Sequence, residues 1–140
     1  MKVSEVMTAQ VATARPDSSI RAVGKMMSEV DSGVIPIVED SKVVGVVTDR
    51  DIVLRAVAEG GDLDAAASTI MSTDVQTCRE DDNVADAVGK MSAQKIRRLV
   101  VLGENGRLAG IVSLGDISKD YGAKQVGKTL EDISFAPPDQ

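Results

Sequence analysis

The chain contains two copies of one pattern. Ser4-Glu5-Val6-Met7-Thr8 recurs as Ser68-Thr69-Ile70-Met71-Ser72, and Val11, Thr13, Arg15 and Asp17 recur as Val75, Thr77, Arg79 and Asp81, all at an offset of 64 residues. Further along, Gly45-Val46-Val47-Thr48-Asp49-Arg50-Asp51-Ile52 answers to Gly110-Ile111-Val112-Ser113-Leu114-Gly115-Asp116-Ile117 at 65, one residue having been added in the turn around Glu104-Asn105-Gly106. Ala22 to Met26 recurs verbatim as Ala87 to Met91 at 65, but pairing Met27 with Met91 keeps the offset of 64 that the flanking segments require. Two copies are too few for a solenoid. The repeat predicts two similar supersecondary units, each too small to bury its own apolar face, packed together with pseudo-two-fold symmetry.

Within each copy the hydrophobic pattern predicts a short helical turn, an extended segment, a helix, two strands and a second helix. In the first copy these fall near residues 3–7, 11–14, 18–29, 34–38, 43–48 and 50–58. Ile20, Val23, Met27 and Val30 recur at spacings of three and four, one helical stripe, with Asp17 or Ser18 placed to cap its start. Val34-Ile35-Pro36-Ile37-Val38 and Val43-Val44-Gly45-Val46-Val47 are β-branched runs joined by the polar Glu39-Asp40-Ser41-Lys42, a hairpin pattern that returns across Gly103 to Gly106. Gly60-Gly61 marks the break between copies. The expected class is therefore mixed α/β (α+β), with two β-α-β-β-α repeats at residues 1–66 (including a linker) and 67–122, then a C-terminal tail at 123–140. In that tail Leu130, Ile133 and Phe135 are placed to pack on a neighbouring surface.

Composition narrows the function. Of 140 residues 43% are hydrophobic, yet Tyr121 and Phe135 are the only aromatics, so the core must be built from aliphatic side chains and methionine. The net charge of −6 repels phosphate backbones and anionic lipid, so neither nucleic acid nor a membrane is an expected partner. No apolar run approaches the roughly 18–20 residues that span a bilayer, nothing at the N-terminus reads as a signal peptide, and lone Cys78 cannot form an internal disulfide. A cytoplasmic setting is expected. The chain has no histidine, the commonest general base and metal ligand, and one cysteine cannot build a thiolate metal site, so the sequence argues against an enzyme.

Taken in order and twice over, Val6-Met7-Thr8, Gly33-Val34-Ile35-Pro36-Ile37-Val38 and Gly45 to Ile52 resemble the tandem cystathionine-beta-synthase-type (CBS) domain pair, or Bateman module, over roughly residues 3–122. The resemblance is particularly to the short stand-alone bacterial proteins built of nothing else. The resemblance implies ligands in clefts between the copies, gripped by a strand-to-helix turn that carries a Ser or Thr and, three residues later, an Asp. Such a turn suits a ribonucleotide: a carboxylate can accept two hydrogen bonds from a vicinal diol, and a hydroxyl can donate to a ribose or phosphate oxygen.

Carried over by position, the first site takes Thr13, Ala14, Val34, Ile35 and Pro36 around a base, with Thr48, Arg50 and Asp51 at ribose and phosphate. The second takes Thr77, Cys78, Leu99, Val100, Ser113 and Asp116, and Arg97 and Arg98 are placed to compensate for an arginine that its turn lacks. The first site is expected to be the stronger, because Asp49-Arg50 becomes Leu114-Gly115 in the second. The simpler reading of the same residues is capping, with Asp51 and Asp116 holding helix starts and Thr48 and Ser113 satisfying loop amides.

The expected function is regulatory: an AMP, ADP, ATP or S-adenosylmethionine sensor, with no required cofactor, homodimeric, signalling to an unidentified protein partner. The alternative is a ligand-independent dimerisation scaffold, supported by Ile52, Val53, Leu54, Ala56 and Val57, which cover more than one face of their helix. Gly122-Ala123-Lys124-Gln125-Val126-Gly127-Lys128-Thr129 fits the P-loop pattern, but a helical pattern before it and only 11 residues after it deny it the strand-loop-helix setting such a loop requires.

Overall fold

In the computed structural model, which describes residues 1–119 and 130–133, the order of elements follows the repeat. A 3-10 turn at Val3–Glu5 precedes β1 (Thr8–Ala9), α1 (Ile20–Val30), β2 (Val34–Glu39), β3 (Lys42–Thr48) and α2 (Asp49–Asp51), which runs directly into a π-helical stretch at Ile52–Val57. The second copy has a 3-10 turn at Ala67–Thr69, then β4 (Thr77–Arg79), α3 (Val84–Gln94), β5 (Arg98–Leu102), β6 (Leu108–Ser113) and α4 (Leu114–Ser118). The class is mixed α+β. The P-loop-like segment at Gly122 to Thr129 lies outside the described residues.

Helices α1 and α3 are each 11 residues long and begin 64 residues apart, so the offset of 64 is the structural one. Their buried stripes match: Ile20, Val23 and Met27 in one, Val84, Ala87 and Met91 in the other. Val30 leaves the stripe and is 47% exposed, because ten residues after Ile20 a helix has rotated about 80° off the starting face. The cap of α1 is Ser19, not Asp17 or Ser18. Its hydroxyl accepts from the Ala22 N–H at 3.0 Å, while Asp17 pairs with Arg15 and the Ser18 hydroxyl accepts from the Arg15 N–H. Arg15 competes for both of the expected caps.

The β2–β3 hairpin closes through Asp40 and Ser41, both at positive φ, the two-residue turn whose twist matches that of antiparallel strands. The second hairpin, β5–β6, takes its extra residue where Asn105 and Gly106 reach positive φ. Both hairpins shift register at the same place, between Ile37 and Val38 and between Val101 and Leu102.

The chain forms two compact units, and they are offset from the sequence division at 66/67: one is Val11–Val75, the other Met1–Gln10 with the chain from Gln76 onward. The reason is an exchange of leading segments. Thr8 of β1 pairs with Ile111 of β6, and the matching Ser72 bridges Val46 of β3, so each leading segment adds to the sheet of the other copy. In the second unit the sheet runs β1-β6-β5-β4, with β4 parallel to β5. In the first, β2 and β3 are flanked by single bridges, Ala14 to Ile37 and Ser72 to Val46.

Two glycines permit the exchange. A Cβ on Gly45 would come 2.7 Å from Met71 Sδ and 3.0 Å from the Ser72 carbonyl oxygen, and one on Gly110 would overlap the Thr8 carbonyl oxygen. The glycine opening each Gly-Val-Val-Thr or Gly-Ile-Val-Ser run is thus where the leading segment crosses. Each unit has its own core. Ile20, Val23, Ile35, Ile37 and Val47 centre one, and Val3, Met91, Leu99, Val101 and Ile117 the other.

Candidate functional site

Both strand-to-helix turns are closed by the same reciprocal pair. The Thr48 N–H donates to Asp51 Oδ2 at 2.9 Å and the Asp51 N–H donates to Thr48 Oγ1 at 3.0 Å. The Ser113 N–H and Asp116 Oδ2, and the Asp116 N–H and Ser113 Oγ, repeat this at 3.1 Å each. A capping box demands a hydroxyl and a carboxylate three residues apart, so the spacing that suggested a ribose grip is already used in holding the helix start. Used, but not exhausted. Each hydroxyl accepts here and keeps its proton to donate, and each carboxylate commits one oxygen to the box.

The other carboxylate oxygen is treated differently in the two turns. Asp51 is 8% exposed, and its Oδ1 lies 3.8 Å from Arg55 Nε, while Arg55 also donates to the Ile70 carbonyl. Asp116 is half-buried, and among the described residues no ion pair engages it. Behind each turn runs the same backbone bridge: Asp49 N–H to the Gly33 carbonyl at 3.0 Å, and Leu114 N–H to the Arg97 carbonyl at 2.8 Å. On that shared frame the side chains are exchanged. A Cβ on Gly33 would lie 2.8 Å from Asp49 Oδ2, so the glycine makes room for a carboxylate, whereas Leu114 is buried in its unit's core and Arg97 is exposed.

A hollow of about 300 Å³ opens at the second turn, lined by Arg97, Arg98, Ser113, Leu114, Gly115, Ser118 and Leu130. Arg98 stands opposite Ser113 in the β5–β6 register, as Val34 stands opposite Thr48 in β2–β3. No salt bridge links Arg97 or Arg98 to a carboxylate among the described residues. Gly115, where the first turn has Arg50, leaves the mouth open.

Of the residues expected at the first site, Thr48 and Asp51 meet in the box and Val34 stands beside Thr48. Ala14 and Ile35 are core, Pro36 is fully buried with its carbonyl accepting from the Ala14 N–H, and Thr13 and Arg50 are exposed. Of those expected at the second, Arg98 and Ser113 line the hollow and Asp116 backs Ser113. Leu99 and Cys78 are core, Val100 is buried, and Thr77 pairs with Val100. Burial pushes the Cys78 thiol up from 9.0 to about 11, helped by Asp82 and opposed by Lys90. The hollow residues not expected from sequence are Leu114, Gly115, Ser118 and Leu130. The gap at Gly115 was visible as a lost arginine, but Leu130 lies outside the repeat.

Among the described residues no group of three or more carboxylate, cysteine or histidine side chains is placed to hold a metal ion. No described helix is long and apolar enough to cross a membrane. The family model for the CBS domain matches residues 3–57 and again 67–122. The CBS domain-containing protein YhcV of Bacillus subtilis is 37% identical over 133 residues, covering 94% of each chain. A CBS domain protein from Pyrobaculum aerophilum, solved in complex with AMP, is similar over 97% of this chain and 100% of its own, with 28% identity and a TM-score of 0.77. A CBS domain pair solved with 5′-methylthioadenosine and S-adenosyl-L-methionine is 30% identical over 89% of this chain and 98% of its own, with a TM-score of 0.77.

Proposed function

This chain belongs to the CBS domain family, and from that premise we propose that it is a regulatory module which binds an adenosyl ligand without transforming it. The observation that carries the reading is the hollow of about 300 Å³ at the second turn, with two guanidinium groups, a serine hydroxyl beside the cap carboxylate, and an open glycine. Its volume is at the lower end of small-molecule sites, roughly 300–1,000 Å³. Arginine forks suit phosphate, and Ser113 keeps a proton to give. The occupied turn in this reading is the second. In the first, the cap carboxylate Asp51 faces Arg55, and the exposed Asp49 carboxylate stands where it would repel a phosphate.

The similar proteins solved with AMP and with S-adenosyl-L-methionine supply the ligand class. Ligand binding changes the conformational balance only through its differential affinity for two arrangements, and a protein partner reads that change. Calorimetric titration with AMP, ADP, ATP and S-adenosylmethionine tests the proposal. The phosphate-bearing ligands bind more tightly than the sulfonium, and Arg98→Ala weakens AMP binding about tenfold. Wild-type protein that binds none of the four below the millimolar range sinks the sensor.

That outcome leaves the scaffold reading, favoured by Val53, Leu54 and Val57, which are 55%, 42% and 59% exposed on one stretch of helix. A second copy of the chain would cover that face. A monomer at micromolar concentration in the same preparation, seen by light scattering, disposes of it.

A further inference from the structure

The hollow at the second turn has one wall that comes from neither repeat. Residues 130–133 form a single helical turn, and Leu130, 41% exposed, lines the hollow alongside Arg97, Arg98 and Ser113. Two anchors of different chemistry hold this turn against the second unit. Ile133 is 9% exposed within the core cluster that contains Met91 and Ile117, and the Ser92 hydroxyl, at the end of α3, donates to Asp132 Oδ2. A leucine exposed singly on a surface needs no explanation. This one is held in place by a buried neighbour and a hydrogen bond spanning 40 residues of chain.

We propose that Leu130 is a ligand-contacting residue, the apolar wall of the second-turn site, and that Asp132 and Ile133 are positioning residues that hold it there. The proposal rests on the reading that this hollow takes an adenosyl phosphate. Apart from Leu130, the hollow is lined by two arginines, two serines and a glycine, with Leu114 buried beneath. Such a lining binds an anion and can hydrogen-bond a sugar, but it offers the purine little apolar surface beyond the arginine stems, and the chain has no described aromatic side chain to stack on it. The isobutyl group supplies the missing apolar contact, so the site matches an amphiphilic ligand with one charged end. The tail thereby becomes part of the sensor, because occupancy of the hollow stabilises the docked turn and docking of the turn raises affinity in equal measure.

Calorimetric titration of the full chain with AMP, in wild type and in Leu130→Ala, Ser92→Ala, Ser92→Thr and Arg98→Ala, tests this. Leu130→Ala and Ser92→Ala each weaken AMP binding roughly fivefold, the effect of losing part of one buried leucine contact, while Ser92→Thr keeps the hydroxyl and binds as wild type. The thermal midpoint of Leu130→Ala stays at the wild-type value, and AMP slows hydrogen exchange at the amides of residues 131–133. If Arg98→Ala weakens binding but Leu130→Ala and Ser92→Ala do not, the tail has no part in the site and the hollow stands. If Arg98→Ala also binds as wild type, or wild type binds no AMP, the hollow is not the site and the role of Leu130 falls with it.

Discussion

The turns Thr48 to Asp51 and Ser113 to Asp116 share a backbone almost bond for bond, yet they present opposite surroundings. Each has a hydroxyl and a carboxylate locked in a capping box, and each bridges back to the residue just before its hairpin, Gly33 or Arg97. Around the first, Asp49 lies over Gly33 and Asp51 faces Arg55, so that the charges close on one another. Around the second, Leu114 is buried where Asp49 is exposed, Gly115 replaces Arg50, and Arg97 and Arg98 occupy the positions of Gly33 and Val34. The positive charge thus sits in different places, on Arg50 inside the first turn and on Arg97 and Arg98 just before and at the start of β5 beside the second. No described carboxylate pairs with Arg50 at the first turn or with Arg97 and Arg98 at the second, so what sets the turns apart is the Asp49 carboxylate, which the second turn replaces with buried Leu114.

The largest expected difference between the units is in stability. Gly110→Ala forces a Cβ onto the Thr8 carbonyl, which belongs to a paired strand and cannot yield, and costs about 3 kcal/mol. Gly45→Ala meets the flexible Met71 side chain at 2.7 Å and the Ser72 carbonyl only at 3.0 Å, and costs about 1 kcal/mol. Urea denaturation of both variants measures the two values. Equal costs would mean that the two leading segments cross their sheets under the same constraint, and the asymmetry would be gone.

A smaller effect separates the two caps. Asp51→Ala removes a box and empties a buried position, about 2 kcal/mol, whereas Asp116→Ala loses the box at a half-buried position, about 1 kcal/mol. Binding ranks the other way. Asp116→Ala weakens AMP binding severalfold by freeing Ser113 from its set position, and Asp51→Ala leaves it unchanged. An Asp51→Ala variant that loses AMP affinity while Asp116→Ala keeps it would return the site to the first turn.

Much of this was legible in the sequence. The repeat gave the element order, the apolar stripes of α1 and α3, and both hairpins. These are local regularities, and local regularities are what periodicity and turn chemistry report. The exchange of leading segments was not legible, because the pairing of Thr8 with Ile111 joins parts of the chain that share no local pattern. The N-cap was misplaced by two residues at most, since Asp17, Ser18 and Ser19 are all competent and only their contacts with Arg15 distinguish them. At the site, the hydroxyl and carboxylate spacing was read correctly as a motif, but the box that uses it looks the same from sequence at both turns. Leu130 carried only the weak signal of an apolar residue three before Ile133, in a tail without a repeat partner.

The smallest effect lies where Cys78 occupies the place that Ala14 holds in the first unit. Both are buried, at 7% and 6% exposure, and both sit beside a threonine on the strand that flanks the hairpin. Since alanine already fills this position once, Cys78→Ala costs about 1 kcal/mol or less at pH 7. Alkali separates the two side chains. Burial raises the thiol from 9.0 to about 11, so the folded state holds its proton where the unfolded state has lost it. The stability this contributes is complete below pH 9 and is lost as pH rises through about 11. Urea midpoints measured from pH 8 to 11 therefore fall further in wild type than in Cys78→Ala, and at pH 8 the native thiol reacts with iodoacetamide about a hundredfold more slowly than a free cysteine. Parallel midpoints across that range, or alkylation at the free rate, would mean that the cysteine is open to solvent and that the second unit is packed less tightly than the first around this strand.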